Sequence, residues 1–226
     1  MPRLALFDLD HTLLDGDSDV LWCDFLMDKG VLERAEFEPR NTAMERDYRA
    51  ATVSAADFCG FYVSTLAGRR PDEWEALRRE FLDTVAAPRL PAAAHALVQR
   101  HLQADDLVVM TTATNRFITE LTALHLGVPH LIATECELDA EGSFTGRTAG
   151  VVNMREGKVV RLTKWLAGRG LALHACESTF YSDSMNDMPL LEAVHEPVAV
   201  DPDDRLRSEA VQRGWPIISL HARGGT

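Results

Sequence analysis
Two aspartates stand two apart in Phe7-Asp8-Leu9-Asp10-His11-Thr12-Leu13, immediately after the apolar run Arg3-Leu4-Ala5-Leu6-Phe7. Carboxylates paired in this way can divide nucleophilic attack from proton transfer, or hold a hard cation through oxygen. Three other places carry groups that would complete such chemistry. Thr112 follows a second apolar run, where a hydroxyl and the start of a helix can hold a phosphate oxygen. Lys158, in Arg155-Glu156-Gly157-Lys158-Val159, opens a segment with helical spacing. Asp183 and Asp187 lie in Tyr181-Ser182-Asp183-Ser184-Met185-Asn186-Asp187, and their spacing of four puts both carboxylates on one face of a helical turn. Taken singly, each has an ordinary reading: Lys158 as a solvated helix residue, Thr112 as a cap, Asp187 as a charge favoured by a helix N-terminus. Their placement along one alternating pattern is what gives them weight.

Short apolar runs at 3–7, 106–110, 130–134, 178–182 and 197–200 predict buried strands of the parallel type, with 216–219 as a further one. Residues 136–148 predict a hairpin, with Cys136-Glu137-Leu138 and Ser143-Phe144-Thr145 around Asp139-Ala140-Glu141-Gly142. Helical spacing covers 115–126, capped by Thr114 and stopped by Gly127 and Pro129, and 158–167, stopped by Gly168 and Gly170. Strands alternating with helices predict an α/β fold, a Rossmann-like parallel sheet with helices on both faces. Ligands of such sheets bind beyond the carboxyl ends of the strands, where Asp8, Asp10, Thr112 and Asp183 fall. The alternation breaks once. From 18 to 87 there is no strong strand signal, only amphipathic pattern, best at 20–27, 55–66 and 73–85 and punctuated by Pro39, Gly68, Pro71 and Pro88. The expected organisation is a core of residues 1–17 and 88–226 with a helical cap domain, 18–87, inserted between the first two strands. The tail, 222–226, reads as disordered.

Composition narrows the partners. A formal charge of −12 speaks against non-specific binding of nucleic acid or an anionic membrane, since both need neutralised phosphates. With 46% hydrophobic and 26% charged residues, the chain can bury a core and is not disordered overall. No apolar run reaches the roughly 18 to 20 residues of a membrane span, and the N-terminus lacks the features of a signal peptide. Cys23, Cys59, Cys136 and Cys176 form no C-x-x-C pair and read as reduced thiols of a cytoplasmic protein.

In order and spacing, Asp8-Leu9-Asp10-His11-Thr12, Met110-Thr111-Thr112, Lys158 and Ser182-Asp183-Ser184-Met185-Asn186-Asp187 resemble the four signatures of the haloacid dehalogenase-like hydrolase superfamily. The helical insertion is similar to that family's cap of the phosphoserine phosphatase type. Tyr181-Ser182-Asp183-Ser184 followed by Pro189-Leu190-Leu191 is similar to a bacterial branch often assigned to histidinol-phosphate or phosphoserine hydrolysis. One departure is that Tyr181-Ser182 stands where many relatives have a glycine before the aspartate.

The resemblance implies a phosphomonoesterase acting on a small phosphorylated metabolite, with Asp8 as nucleophile and Asp10 as general acid and base. It implies Mg²⁺ held by Asp8, the Asp10 main-chain carbonyl and Asp183, with Asp187 as a ligand or behind it. Thr112 and Lys158 would stabilise the transferring phosphoryl group. Lys164 is the alternative lysine, and His11 is given no chemical role. Asp17, Asp19, Trp22, Arg46, Tyr48 and Arg49 are candidates to face the substrate, whereas Phe58, Phe61, Tyr62 and Leu66 read as cap core. The competing functions are a phospholipid-headgroup phosphatase and a non-enzymatic phosphoacceptor switch. In such a switch the phosphorylated aspartate follows a later strand, and the long helical insertion has no counterpart.

Overall fold
The first strand, β1 (Arg3–Phe7), is apolar at every position but its first. Ala5 and Phe7 enter one buried cluster and Leu4 and Leu6 another, the alternation of a strand with a core on each face. The computed structural model describes residues 1–50 and 52–221, Arg49 by its backbone only. The tail 222–226, expected to be disordered, lies outside the described residues.

β1 is central. It pairs in parallel with β2 (Leu107–Asn115) on one side and β5 (Glu177–Ser182) on the other, Phe7 standing opposite Met110 and Tyr181. Beyond β2 lie β3 (His130–Leu138), parallel, and β4 (Phe144–Ala149), antiparallel. Beyond β5 lie β6 (Glu196–Val200) and the two-residue β7 (Ile217–Ile218), both parallel. The chain thus steps outward in opposite directions from β1 and from β5. Between them, at the carboxyl ends, the connections part and leave room for a ligand. This is the expected α/β fold with a parallel, Rossmann-like sheet core.

Between β1 and β2 the described residues form helices and turns: α1 (Ser18–Asp28), α2 (Arg34–Arg49), α3 (Ala55–Val63), α4 (Pro71–Phe81) and α5 (Ala92–Gln103). Asp17 caps α1 by accepting from the amides of Asp19 and Val20, and Ser54 caps α3 by accepting from Asp57. Pro71 occupies the first position of α4, where its missing amide costs nothing. Helix α5 has no counterpart in the expected pattern, and α2, inside the stretch expected to be helical, is not one of its three best segments. Pro39, expected to break the chain's helical pattern, lies inside α2, where it removes one amide donor and leaves the helix continuous. The run expected over 73–85 leaves regular α-helix at Phe81, passing through a π-turn, Leu82–Ala86, and a 3₁₀ turn, Ala87–Arg89.

The remaining helices are α6 (Arg116–His125), α7 (Glu156–Ala167), α8 (Met188–Leu191) and α9 (Asp204–Arg213). Thr114 does not cap α6. β2 stays extended through Asn115, and the Asn115 side chain accepts from the amide of Ile118 instead. The expected hairpin is present, but its first strand is continuous with the strand before it, so β3 serves both the parallel sheet and the antiparallel pair.

Helices α1 and α4 share a core with one face of the sheet. Trp22 is fully buried against Phe25, Trp74 and Phe81, with ring centroids 5.8, 5.9 and 5.2 Å away. A separate cluster joins Cys23 and Met27 of α1 to Phe37, Phe58, Cys59, Tyr62 and Met154. Phe58 and Tyr62 are therefore core residues, as their helical spacing suggested, and Leu66 is buried in the sheet-side cluster.

Candidate active site
β1 ends at Phe7, and the Asp8 amide still donates to the Tyr181 carbonyl at 2.9 Å, so Asp8 leaves the sheet in register with β5. The next residues close a tight loop in which the amides of Leu13 and Leu14 both donate to the Leu9 carbonyl. Burial of Leu9, Leu13 and Leu14 pins that loop to the core and carries Asp10 back over the ends of β1 and β2.

The Asp10 carboxylate is held on both oxygens. Oδ1 accepts from the Ser18 amide at 2.7 Å and from the Ser18 hydroxyl. Oδ2 accepts from the hydroxyls of Thr112 at 3.1 Å and Thr114 at 2.8 Å. The Thr112 hydroxyl is thus committed to Asp10, and the cavity wall beside it is made by Ala113 and Thr114. The Thr114 hydroxyl oxygen also stands 3.1 Å from Asp19 Oδ2, and Asp19 is buried beneath the site.

Lys158 comes from the first turns of α7. Its Nζ donates to Asp8 Oδ1 at 2.8 Å and to Asp187 Oδ2 at 2.7 Å, and all three residues are buried. Gly157 allows this approach, because a Cβ there would stand 2.0 Å from the Val152 carbonyl oxygen. Asp187 accepts a further bond from Ser182 at 2.7 Å. Asp183 is joined to the first loop through Thr12, whose hydroxyl donates to Asp183 Oδ1 at 3.1 Å and accepts from the Asp183 amide at 3.0 Å. Asp183 and Asp187 do not share a helical face. Asp183 lies in the loop after β5, and Asp187 closes a 3₁₀ turn, Met185–Asp187, before α8. The bonds to Thr12 and to Ser182 and Lys158 fix the two separately.

Too many carboxylates share this space for one ammonium. Asp8 is raised to about 8: burial is the largest cause, Lys158 opposes it, and Asp187 and Asp10 add to it. Asp183 is raised well above the usual carboxylate range by burial, then by Asp8 and Asp187. Burial alone would lower Lys158, but the charges and hydrogen bonds of Asp187 and Asp8 hold it above its ordinary value. A hard divalent cation fits this donor set, which offers carboxylate oxygen and places no cysteine in the cavity wall. Among the described residues no three His, Cys, Asp or Glu side chains converge as a metal cluster. Mg²⁺ does not require one, since it takes one or two carboxylates and keeps several waters.

The cavity at these groups holds about 40 Å³ and adjoins a cleft of about 580 Å³. Asp17 and Tyr48 line both, and Glu45 and Asp203 line the cleft. Burial, then Asp10, raises Asp17 to about 7. Tyr48 reaches in from α2, stacked on Phe58 at 4.4 Å. Of the other substrate-facing candidates, Trp22 is core and Arg46 is exposed and paired with Asp47 at 2.8 Å. Lys164 is exposed and lines a different cavity.

The sequence reading missed several residues that build this site. Thr12, Ser18 and Thr114 hold the aspartates, and only their neighbourhood to Asp8, Asp10 and Thr112 marks them. Asn153 is buried, and its Nδ2 stands 2.9 Å from Thr111 Oγ1 and from the carbonyls of Thr112 and Ile132, tying β2 to β3. Nothing local distinguishes it. Arg155, with φ of 53°, reaches Asn186 and the Val53 carbonyl, joining the start of α7 to two loops.

The family model for haloacid dehalogenase-like hydrolases matches residues 5–192. Over 221 residues the chain is 39% identical to a histidinol-phosphatase of Neisseria meningitidis serogroup C, covering 97% of this chain and all of that protein. A solved structure of a protein with unknown function from Bordetella pertussis superposes with a TM-score of 0.93 at 47% identity, covering 98% of this chain and all of that one. A substrate-bound phosphoserine phosphatase superposes with a TM-score of 0.69, covering 98% and 94% of the two chains. At 15% identity, that likeness shows the shared fold.

Proposed function
The chain belongs to the haloacid dehalogenase-like hydrolases, and from that premise we propose that this phosphatase is an Mg²⁺-dependent phosphomonoesterase working through a phosphorylated Asp8. The observation that carries this reading is the pairing of two differently held carboxylates. Asp8 has one oxygen on Lys158, while Asp10 is fixed by Ser18, Thr112 and Thr114. Asp8 attacks the phosphorus, the bond to the leaving oxygen breaks, and Asp10 gives that oxygen its proton. Asp10 then takes a proton from the water that hydrolyses the acyl phosphate. Lys158 holds Asp8 and offsets charge on the phosphoryl oxygens, and Thr112 keeps Asp10 oriented.

Asp8, the Asp10 main-chain carbonyl and Asp183 are the groups to hold Mg²⁺, with Asp187 behind them. When bound, the ion offsets the repulsion between an anionic nucleophile and an anionic phosphate. Helices within 18–87 form a cap over the site, and Tyr48 and Phe58 of the cap line its cavity. The cap must shift for a substrate to enter, because about 40 Å³ is little more than one water molecule.

The substrate is a small phosphorylated metabolite with a cationic leaving group, an amino-alcohol or amino-acid phosphate. Asp17 and Glu45 at the entrance favour an ammonium or imidazolium, and the Neisseria relative carries the name histidinol-phosphatase. The four cysteines are free thiols, which suits a cytoplasmic setting. Among the described residues no helix is long and apolar enough to cross a membrane.

A panel including histidinol phosphate, phosphoserine and headgroup phosphates, assayed for released phosphate with Mg²⁺, tests this reading. Histidinol phosphate should give the highest kcat/KM, EDTA should abolish turnover, Mg²⁺ should restore it and Ca²⁺ should suppress it. Full activity after EDTA treatment would remove the metal, and failure to turn over any phosphomonoester would remove the function.

A further inference from the structure
Helix α7 carries a second surface that the phosphatase reading does not use. Arg161, Lys164, Trp165 and Gly168 fall on one helical face, and with Arg116 and Arg169 they line a cavity of about 480 Å³ beside β3. That volume lies within the range of about 300 to 1,000 Å³ usual for small-molecule sites. Four cations meet a single carboxylate there, Glu135, in a chain whose formal charge is −12.

Glu135 satisfies only part of them. Arg116 grips it with Nε at 2.9 Å and Nη2 at 2.9 Å, and Arg161 Nη2 adds a third bond at 2.9 Å. Lys164 Nζ has no hydrogen-bond or ion-pair partner among the described residues. Arg161 Nε is buried without a partner. An unpaired buried donor is costly unless something accepts from it. Next to these cations, the Arg169 guanidinium carbon lies over the Trp165 ring, 3.5 Å from its centre, and the two groups together make a platform. Val151 and Val160, both about half exposed, add an apolar rim. His130 stands edge-on to Trp165 at 5.2 Å, and burial followed by the charge of Arg169 disfavours its protonation.

The cations call for a multiply charged anion, and the platform calls for a planar ring. We propose that this cavity binds a nucleotide, its phosphate on Arg116, Arg161 and Lys164 and its base stacked at Trp165 and Arg169. No residue of this site belongs to the phosphatase machinery, so the proposal stands apart from that reading.

Calorimetric titration of the full chain with AMP, in EDTA so that no turnover occurs, tests it. Adenosine and ribose 5-phosphate serve as the half-ligands. AMP should bind at least about tenfold tighter than either, because each lacks one of the two recognised parts. The double variant Lys164→Glu, Arg169→Glu, which changes exposed side chains, should weaken AMP about tenfold or more. Its hydrolysis of p-nitrophenyl phosphate should match the parent, which also reports that the fold is intact. Glu135→Gln removes the one carboxylate and should tighten AMP, a gain that misfolding cannot imitate. AMP affinity undetectable at millimolar concentration, unchanged in the double variant, or matched by ribose 5-phosphate overturns the proposal.

Discussion
The two ends of α7 hold lysines in opposite circumstances. Lys158, in the first turns, is 3% exposed in its side chain and bridges Asp8 and Asp187. Lys164, less than two turns further on, is exposed and lines a cavity where cations outnumber carboxylates four to one. The same residue type on the same helix is at one end a buried counter-ion for a crowd of acids and at the other an uncompensated surface charge. The difference is set by what surrounds each lysine: Asp8 and Asp187 at the start of α7, and Arg116, Arg161 and Arg169 with the single carboxylate Glu135 further along. A cation's role in this fold follows from the burial and sign of its neighbours.

The most severe way to break the acidic end is to remove Asp8, the nucleophile proposed above. Asp8→Asn should reduce turnover by a factor on the order of 10⁴ or more. Asp10→Asn should cost roughly 10² to 10⁴, because a proton carrier is lost while the backbone is kept. With p-nitrophenyl phosphate the Asp10 variant should accumulate phosphate on Asp8, since the first step needs no proton and the second does. Peptide mass analysis of protein quenched during turnover reads this directly. Phosphate on any other residue, or parental activity in either variant, refutes the division of roles.

Exchanging the lysines sharpens the comparison. Lys158→Met leaves Asp8 and Asp187 buried without a counter-charge, a change that typically costs about 3–5 kcal/mol. It should lower Tm markedly and depress kcat by roughly 10² to 10³. Lys164→Met should change neither, and equal losses at the two positions would erase the distinction.

A smaller effect is expected where the helix docks. Gly157→Ala forces a methyl against the Val152 carbonyl, so the first turn of α7 must move away. Overpacking of this kind costs about 1–3 kcal/mol. Denaturant unfolding together with kcat measures it, and kcat should fall with stability because Lys158 is the adjacent residue.

The smallest effect belongs to the basic end. Burial alone would raise Glu135, but the hydrogen bonds and charge of Arg116 and the charge of Arg161 outweigh that and hold it below the ordinary 4.5. A folded pKa below the unfolded one gives stability that is fully present above the unfolded value and is lost as pH falls through the folded value. The Tm gap between the parent and Glu135→Gln should therefore be constant near neutrality and shrink as pH falls below about 4.5. A gap that widens with acid would contradict the sign.

Much of the fold could be read in advance because its signals are local. Buried parallel strands leave short apolar runs, and β1, β5 and β6 followed from them. What escaped notice was weakly patterned or displaced by partners. Helix α2 lies in the stretch expected to be helical, but it is polar overall and contains Pro39, so its bounds were not marked. Thr114 has the chemistry of a helix cap, yet its hydroxyl serves Asp10 and Asp19 and the capping passes to Asn115. Trp22 and Tyr48 were equal candidates to face the substrate. Packing buried Trp22 among aromatic rings and brought Tyr48 to the cavity.

By itself the sequence determined the chemistry available: Asp8 and Asp10 at a strand end, Asp183 and Asp187 after another, and lysines on the helix between. Those facts depend on residue type and short spacing, which the chain carries wherever it goes. Tertiary structure alone decided which lysine meets them, that Thr112 turns to Asp10, and that Asp183 is fixed by Thr12 at a separation of 171 residues. Those choices depend on distance and burial between segments remote in the chain. Neither quantity exists until the sheet has brought the segments together.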